Sequence, residues 1–396
     1  MKAELLAPSG DLEAVRTALK YGADAIYCGG PFMQLRAESA GFSEETLSEA
    51  IALVHGKGKK IYVTVNSFAY NDDIPKIGEY GKRLKELGVD AAIVSDPGVI
   101  CELREKAPEL EVHLSTQANC MNYRAAKMYY DLGVKRIVLA RELTIPQIAE
   151  MRAKLPEDLE LEAFVHGAMC MSYSGRCLMS AFMTGRSGNR GDCAQSCRWN
   201  YYLVEEKRPG EYFKIEQDER GSAILSSKEL CCIDLLQQLE DAGVISFKIE
   251  GRMKTPYYVG TVVNAYRLVM DGKASAEEAR RELNTTSHRP FCTGFYTGDP
   301  NESAPDPSGY IRDWMFIATA DGASNDGKLR IITRNPFAVG DEVEVLTPGK
   351  TGRAFRIEEI VTEEGESIDR SPTPMRVMTI NAPDGVESGD IIRKKN

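Results

Sequence analysis

The feature that most constrains the fold is a repeated alternation of short apolar runs with amphipathic segments that end in glycine. The phrases Tyr21-Gly-Ala-Asp-Ala, Leu87-Gly-Val-Asp-Ala and Ala242-Gly-Val-Ile-Ser each place a glycine between an amphipathic segment and an apolar run. Glycine commonly ends a helix, and an apolar run of strand length is typical of a buried strand. The alternation therefore predicts repeated βα units and a parallel sheet.

Eight such units fit between the first residue and about residue 270. Strands are predicted at 4–8, 25–29, 60–66, 91–95, 112–116, 136–140, 161–165 and 245–249, and helices at 11–21, 43–56, 77–88, 123–133, 145–154 and 257–270. Eight units in this length favour a closed (β/α)8 barrel of the TIM type. An open doubly wound sheet is the alternative.

The composition of the chain changes after residue 298. A stretch rich in Pro, Ser and Asp at 299–309 predicts a linker, and short alternating strands follow it, one of them at 353–360. These strands predict a small antiparallel β-barrel domain at 310–396, after a barrel domain at 1–298. We expect a chain that ends near Asp299 to keep a folded barrel.

A long insertion interrupts the seventh unit, between about residues 166 and 225. After it, Ser226-Ser-Lys-Glu229 has the serine and early acid that predict a helix start. The loops that follow barrel strands build the active sites of such folds. The insertion after strand 7 is therefore the predicted functional segment.

Four of the ten cysteines lie in this insertion, at Cys170, Cys177, Cys193 and Cys197. In a large chain without an export signal the thiols are expected to stay reduced in the cytoplasm, which favours metal binding over disulfides. Four thiolates suit an iron–sulfur cluster or one zinc ion, and the unequal gaps favour the cluster over the paired knuckles of zinc sites. A site without metal is the third alternative. Cys231 and Cys232, expected on a helix beside the insertion, are ambiguous.

The balance of 49 basic and 59 acidic side chains gives a net charge of −10. This charge disfavours nonspecific binding to nucleic acid or to an anionic membrane, so a nucleic-acid site would be a local patch. The apolar runs are far shorter than a membrane-spanning helix requires, and no membrane association is expected. No HExxH, GxSxG or P-loop motif occurs in the sequence.

The part of the insertion around the cysteines, residues 170–198, is locally basic. It contains Asp192 and the four arginines Arg176, Arg186, Arg190 and Arg198. Guanidinium groups bind carboxylates and phosphates through paired hydrogen bonds, which predicts a small dicarboxylate or an RNA backbone as ligand. The alternative is that the arginines balance the negative charge of a thiolate-bound cluster.

Polar side chains also fall at the predicted strand ends, where a barrel would gather them at one mouth. His166 could donate a proton or be a structural group, and Lys248 and Glu250 could form a buried structural pair. The strand-end residues considered as site residues are Asn66, Arg141, His166 and Arg252.

Several motifs occur in the order seen in one known family. They are Leu6-Ala-Pro-Ser-Gly10, Gly22-Ala-Asp-Ala-Ile-Tyr-Cys-Gly-Gly30, His166-Gly-Ala-Met-Cys170, Tyr173-Ser-Gly-Arg-Cys177 and Lys248-Ile-Glu-Gly-Arg252. Together they closely resemble the collagenase-like peptidase family, U32, over the whole barrel, and the terminal domain is similar to the small domain that many members carry.

The resemblance implies an oxygen-independent hydroxylase with a [4Fe–4S] cluster, acting on ubiquinone precursors, ribosomal RNA or tRNA. Cys193-Ala-Gln-Ser-Cys197-Arg-Trp199 is most similar to the branch of prephenate-dependent tRNA 5-hydroxyuridine synthases. In that branch the cluster ligands correspond to Cys170, Cys177, Cys193 and Cys197. In the branch that acts on ubiquinone precursors one ligand can come from further along the chain, so Cys232 is a possible substitute ligand. The acidic net charge departs from what an RNA enzyme suggests.

We therefore expect 5-hydroxylation of the wobble uridine of tRNA, with prephenate or a similar dicarboxylate as co-substrate. The alternatives are a peptidase and an iron–sulfur partner subunit of another hydroxylase. Catalytic roles are assigned to His166, Arg176 and Arg252, and substrate contacts to Asn66, Arg141, Arg186 and Arg198.

Overall fold

The computed structural model divides the chain into two compact units. The first unit comprises residues 1–15, 24–253 and 289–310, and the second comprises 16–23, 254–288 and 311–396. The structure describes residues 1–35, 41–170, 172, 177, 179–196, 199, 202–204, 212–214, 228–298, 310–371 and 373–396. The predicted linker at 299–309 lies outside the described residues, and the predicted domain boundaries stay a prediction.

The strands of the first unit follow the predicted order. They are β1 (Glu4–Pro8), β2 (Ala25–Gly29), β3 (Lys60–Val65), β4 (Ala91–Val94), β5 (Glu111–Leu114), β6 (Arg136–Val138), β7 (Glu160–Ala168), β8 (Tyr202–Val204), β9 (Tyr212–Lys214), β10 (Glu229–Cys231), β11 (Ser246–Ile249) and β12 (Phe291–Cys292). Strands β1 to β7 pair in parallel with their neighbours in chain order, and β11 pairs in parallel with both β7 and β1. These eight strands form the predicted closed barrel, and the open sheet is excluded.

Ten α-helices occur among the described residues. They are α1 (Leu12–Lys20), α2 (Glu44–His55), α3 (Ile74–Leu87), α4 (Pro97–Lys106), α5 (Tyr123–Asp131), α6 (Ile145–Arg152), α7 (Met179–Thr184), α8 (Leu236–Asp241), α9 (Pro256–Met270) and α10 (Ala276–Leu283). None of these helices is long and apolar enough to cross a membrane.

The eight predicted units imply helix α4, but its bounds were not predicted, although its start has a clear local cause. The Asp96 carboxylate accepts hydrogen bonds from the backbone N–H groups of Gly98 and Val99, and Pro97 occupies the first helical position. A capping carboxylate and a proline at this position both favour helix initiation.

The predicted start of the seventh helix is wrong. Strand β7 extends to Ala168, and its end pairs antiparallel with β10, where Glu229 lies opposite Ala168 and Cys231 lies opposite His166. An unpaired strand edge offers free N–H and C=O groups, so pairing outweighs the local helix signal. Cys231 is therefore on a strand, and Cys232 follows it, both buried.

The second unit contains a seven-stranded antiparallel sheet, in agreement with the predicted small β-domain. Its strands are β13 (Trp314–Ala320), β14 (Lys328–Thr333), β15 (Glu342–Leu346), β16 (Arg353–Arg356), β17 (Ile360–Thr362), β18 (Val377–Asn381) and β19 (Ile391–Lys395), in the order β16-β15-β19-β13-β14-β18-β17. The strand predicted at 353–360 is two strands. The Asn381 side chain fixes the break, because it donates to the Arg356 carbonyl and accepts from the Glu358 N–H, each at 2.7 Å.

A buried ion cluster lies within this second unit. Arg393 of β19 is fully buried, and its guanidinium lies 2.8 Å from the Glu282 carboxylate and 2.7 Å from that of Glu344. It also donates to the Thr285 hydroxyl at 2.7 Å. Glu282 is on α10 and Glu344 is on β15, so this cluster joins the C-terminal strands to a helix that precedes residue 299.

A larger ion cluster fills part of the barrel interior. The fully buried Glu162 of β7 accepts from Lys248 at 2.8 Å and from Arg136 at 3.1 Å. Arg136 also donates to Glu4 at 2.6 Å, and Ser246 donates to both Glu4 and Glu162. Side chains from β1, β6, β7 and β11 can meet in this way only inside the barrel. The predicted pair of Lys248 with Glu250 is wrong: the buried partner of Lys248 is Glu162, and Glu250 lies beyond the end of β11.

Replacing Glu162 by Gln should strongly destabilise the barrel. The change keeps the side-chain shape but leaves two buried cations without this carboxylate, which typically costs about 3–5 kcal/mol of unfolding free energy. Urea unfolding at pH 7 measures the loss. The matched control is Glu160→Gln on the same strand, because Glu160 also binds Arg136 but is 41% exposed. The unfolding free energy of the control should fall by at most about 1 kcal/mol. Equal losses in the two variants would show that the buried carboxylate of Glu162 does not stabilise the barrel more than an exposed one.

The same carboxylate should give the barrel an acid-dependent stability. Burial raises the pKa of Glu162, but the charges of Lys248 and Arg136 outweigh burial and lower this pKa to about 2. Its contribution is therefore fully present above the unfolded pKa of about 4.3 and is lost as the pH falls towards 2. Between these pH values, the unfolding free energy of the natural chain should fall more steeply with decreasing pH than that of Glu162→Gln.

A chain that ends at residue 298 tests the domain boundary. Truncation would delete Arg393, the buried ion partner of Glu282. It would also delete Phe316, whose ring stacks on that of Tyr257 in α9 at a centroid distance of 5.3 Å. We expect the shortened chain to unfold at a lower urea concentration than the full chain. An unchanged midpoint would instead support an independent barrel domain at 1–298.

Candidate active site

The carboxyl ends of the barrel strands form one rim, called here the carboxyl rim and defined by Ser9, Asn66, Ser115, Arg141 and Arg252. Each of these residues follows one of the parallel barrel strands, so all five lie at the same end of the barrel. Active sites of parallel barrels form at this end. The predicted strand-end residues are therefore gathered on one side.

Arg252 is oriented at this rim by two side-chain oxygens. It is buried and donates to the side-chain oxygens of Gln34 at 3.1 Å and Thr64 at 3.0 Å. Gln34 is itself fixed, because its amide donates to the Gly30 carbonyl at 3.1 Å. These two contacts set the direction of the guanidinium. No sequence pattern marks Gln34, which lies in the loop after β2.

Asn66 is held from three sides. Its side-chain N–H donates to the Ser115 hydroxyl at 3.3 Å, its carbonyl accepts from Ser95 at 3.1 Å, and its backbone N–H donates to the Met33 carbonyl at 2.9 Å. The buried side-chain oxygen of Asn66 accepts no hydrogen bond from the described residues. This arrangement leaves an oriented acceptor at the rim.

His166 and Arg141 lie beside the extension of β7. His166 is fully buried, its carbonyl accepts from the Glu250 N–H at 2.8 Å, and its ring lies 5.5 Å from that of Phe291. Arg141 donates to the Ala168 carbonyl at 3.2 Å and lies over the ring of Phe164 at 5.5 Å. The rim thus carries two oriented guanidiniums, those of Arg141 and Arg252. Their assigned roles, like that of His166, stay predictions.

Two of the predicted cluster cysteines meet one short segment of the insertion. The Cys177 N–H donates to the Asn189 side chain at 3.3 Å, which in turn donates to the Cys177 carbonyl at 3.0 Å. A methyl group at the neighbouring Gly188 would lie 3.4 Å from the Cys193 sulfur. The segment 188–190 therefore lies between Cys177 and Cys193.

The described cysteines have features that fit a thiolate-bound cluster. The backbone N–H of Ser172 donates to the Cys170 sulfur and that of Met179 donates to the Cys177 sulfur, each at 3.4 Å. Amide N–H groups directed at sulfur stabilise the negative charge of cluster ligands. Cys170 is exposed, and Cys177 and Cys193 are half-buried.

The four-cysteine ligand set stays a prediction. Cys197 lies outside the described residues, as do Arg176 and Arg198. Within the described part of the chain, no three Cys, His, Asp or Glu side chains are close enough to hold one metal ion. Cys232, considered as a substitute ligand, is fully buried after β10.

The two arginines of the insertion that the structure describes, Arg186 and Arg190, have acidic partners. Arg186 pairs with Asp192 at 2.5 Å, with both side chains partly exposed. Arg190 donates to the Asp73 carboxylate and to the Phe68 carbonyl, each at 2.6 Å. Arg186 thus shares its charge with an acid of the insertion, whereas Arg190 holds the insertion to the loop after β3.

This contact between the insertion and the barrel is a feature that the sequence did not reveal. The Phe68 N–H donates to the Asn189 carbonyl at 2.9 Å, and the Arg190 guanidinium lies 4.5 Å over the ring of Tyr70, which is 66% exposed. Gly191 adopts a φ of +95°, and a methyl group there would lie 2.7 Å from the Gln34 carbonyl. Residues 189–191 of the insertion therefore pack against the loops after β2 and β3.

Replacing Asp73 by Asn should loosen the insertion. The hydrogen bond from Arg190 lowers the pKa of Asp73, so this carboxylate is charged at neutral pH and the amide would remove that charge. We expect faster hydrogen exchange at the Phe68 amide, which bonds to Asn189, measured by mass spectrometry. Asp72→Asn, the exposed neighbour, is the control and should leave this exchange unchanged. Equal exchange in both variants would show that Arg190 does not hold the segment.

The chain is similar to known proteins along its whole length. The profile of "Peptidase family U32" matches residues 10–305, and that of "Peptidase family U32 C-terminal domain" matches residues 312–393. The chain is 36% identical to "tRNA hydroxylation protein P1" of Bacillus subtilis, over 99% of this chain and 95% of that protein.

Two further relatives carry different names. "tRNA hydroxylation protein P" of Escherichia coli is 33% identical over 100% of this chain and 97% of its own length. "Collagenase" of Porphyromonas gingivalis is 32% identical over 94% of this chain and 93% of its own length. These full-length similarities agree with the barrel, the cysteine-bearing insertion and the separate β-domain, and the chain belongs to peptidase family U32.

Proposed function

We propose that this chain is an oxygen-independent tRNA hydroxylase of the cytoplasm, which converts the wobble uridine to 5-hydroxyuridine. The full-length similarity to two proteins named for tRNA hydroxylation carries this proposal. The site agrees with it, because a cysteine-bearing segment is fastened beside a rim that presents arginines and an amide oxygen.

The proposed cofactor is a [4Fe–4S] cluster held by Cys170, Cys177, Cys193 and Cys197. Replacing the C5–H bond of uridine with C5–OH removes two electrons from the base. The prephenate-like co-substrate would give up its hydroxyl group and accept these electrons, so that its C–OH bond becomes C–H, and a cluster would supply one-electron transfer near the reacting ring. The residues of the chain would hold the cluster at the insertion, where the N–H groups of Ser172 and Met179 already point at sulfur.

The rim residues would orient the two substrates. Arg252 and Arg141 are suited to bind the carboxylates of a prephenate-like donor, because hydrogen bonds orient both side chains at the rim and guanidiniums bind carboxylates through paired hydrogen bonds. The free side-chain oxygen of Asn66 could accept the N3–H of a uracil ring. A uridine must leave its stack to reach such a rim, as enzymes that modify bases require.

The test uses tRNA from a bacterial strain that lacks 5-hydroxyuridine and expresses this chain. Mass spectrometry should detect 5-hydroxyuridine with the natural chain. Each single replacement of Cys170, Cys177, Cys193 or Cys197 by Ser should lower both the iron content of the purified protein and the modification by at least about tenfold, since each is proposed to supply one thiolate. Cys101→Ser, an exposed cysteine on α4, is the control and should retain both.

Other outcomes would favour the alternatives. The similarity to a collagenase makes a peptidase the second candidate. Absence of 5-hydroxyuridine, together with cleavage of denatured collagen that survives replacement of all four cysteines, would establish the peptidase. Modification that appears only when another purified protein is added would instead indicate a partner subunit.

A further inference from the structure

The C-terminal sheet gathers basic residues at one end. Lys395 lies opposite Trp314 in the ladder of β19 with β13, and Arg312 precedes Trp314 by two residues. The Arg334 N–H donates to the Ile317 carbonyl at 2.7 Å, and the Arg376 carbonyl accepts from Thr333 at 2.9 Å. The start of β13, the end of β14, the start of β18 and the end of β19 therefore coincide. The name basic end is used for Arg312, Arg334, Arg376 and Lys395.

These side chains are presented to solvent and partly held in place. Arg312, Arg376 and Lys395 are exposed, and Arg334 is half-buried. Arg334 donates to the Met375 sulfur at 3.4 Å and lies over the ring of Phe316 at 5.8 Å. Within the described part of the chain, Arg376 and Lys395 form no side-chain ion pair.

The opposite end of the same sheet is different. Lys328, at the start of β14, pairs with Glu359 at 3.1 Å. Arg330 pairs with Asp321 at 2.8 Å and with Glu363 at 3.4 Å. These two bases are therefore neutralised by neighbouring acids. At the basic end Asp341 is paired with Lys394 at 2.7 Å and Asp313 adjoins Arg312, while Arg376 and Lys395 keep their positive charges. Charge is separated along the sheet even though acids and bases alternate in the sequence.

We propose that the basic end is a docking surface for the sugar–phosphate backbone of the tRNA substrate. The inference rests on the proposed function and assigns part of RNA binding to the C-terminal domain. A chain with a net charge of −10 repels RNA as a whole, so binding requires a local positive surface such as this one. Four adjacent strands span roughly 14 Å, wide enough for several consecutive phosphates.

The chemistry of the surface favours RNA over a peptide partner. Arginine and lysine bind phosphates, and the half-buried Trp314 beside Lys395 adds an aromatic surface of the kind on which bases stack. Contacts of this type recognise the backbone and leave the identity of the modified base to the carboxyl rim.

The test compares two full-length variants that each lose two positive charges from the same domain. Arg376→Gln with Lys395→Gln removes charge from the basic end. Lys328→Gln with Lys350→Gln removes equal charge elsewhere, at two exposed positions. The affinity of each variant for unmodified tRNA is measured from about 50 to 200 mM salt. Each lost phosphate contact makes the plot of log binding constant against log salt concentration shallower by nearly one unit of slope. Thermal unfolding checks that both variants are folded.

We expect the basic-end variant to bind tRNA at least about tenfold more weakly at low salt, with a salt slope reduced by about 1.5–2. The control variant should bind like the natural chain. Equal binding by both variants would overturn the docking surface while leaving the hydroxylase intact. Failure of the natural chain to bind tRNA at low salt would instead contradict the proposed function. Polyglutamate is tested in parallel. If it binds as tightly as tRNA, the basic end is a surface for acidic polypeptides and the RNA proposal is overturned.

Discussion

The buried carboxylate of Glu162 is the interaction on which the barrel depends. It neutralises Lys248 and Arg136 from the strands on either side of β7, and Arg136 continues the cluster to Glu4. An isolated ion in this interior would be highly unfavourable, so the charges are tolerated only because each has a partner at hydrogen-bonding distance. The cluster therefore requires β1, β6, β7 and β11 to meet in one register, which is the condition for closing the barrel.

The extension of β7 beyond that cluster positions the candidate site. Because β7 continues to Ala168, residues 166–168 offer an edge to β10, and the insertion begins and returns beside the same strand. Arg190 and Gly191 then fasten the insertion to the loops after β3 and β2. The described cysteines Cys170, Cys177 and Cys193 thus lie between a barrel strand at one side and loop contacts at the other.

Most of the barrel could be predicted from local patterns, and the failures have physical reasons. The bounds of β1 and β2 agree with the apolar runs, since a buried parallel strand is a continuous apolar segment. Strand β19 was not predicted, because the fully buried Arg393 interrupts its apolar pattern. Among the site residues, the gathering of Asn66, Arg141 and Arg252 at one rim followed from the predicted topology, but the involvement of Gln34 and Asn189 depends on contacts between distant loops.

The sequence by itself determined the eight βα units, the cysteine-bearing insertion and the change to short alternating strands, because these are encoded by periodicity and spacing within a few tens of residues. Only the tertiary structure decided which charges neutralise each other: Lys248 pairs with Glu162 rather than Glu250, and Arg190 pairs with Asp73 rather than facing a ligand. It also decided that bases at 312, 334, 376 and 395 share one end of a sheet. Electrostatic partners are chosen by distance in space, and strand pairing brings together residues that no local pattern connects.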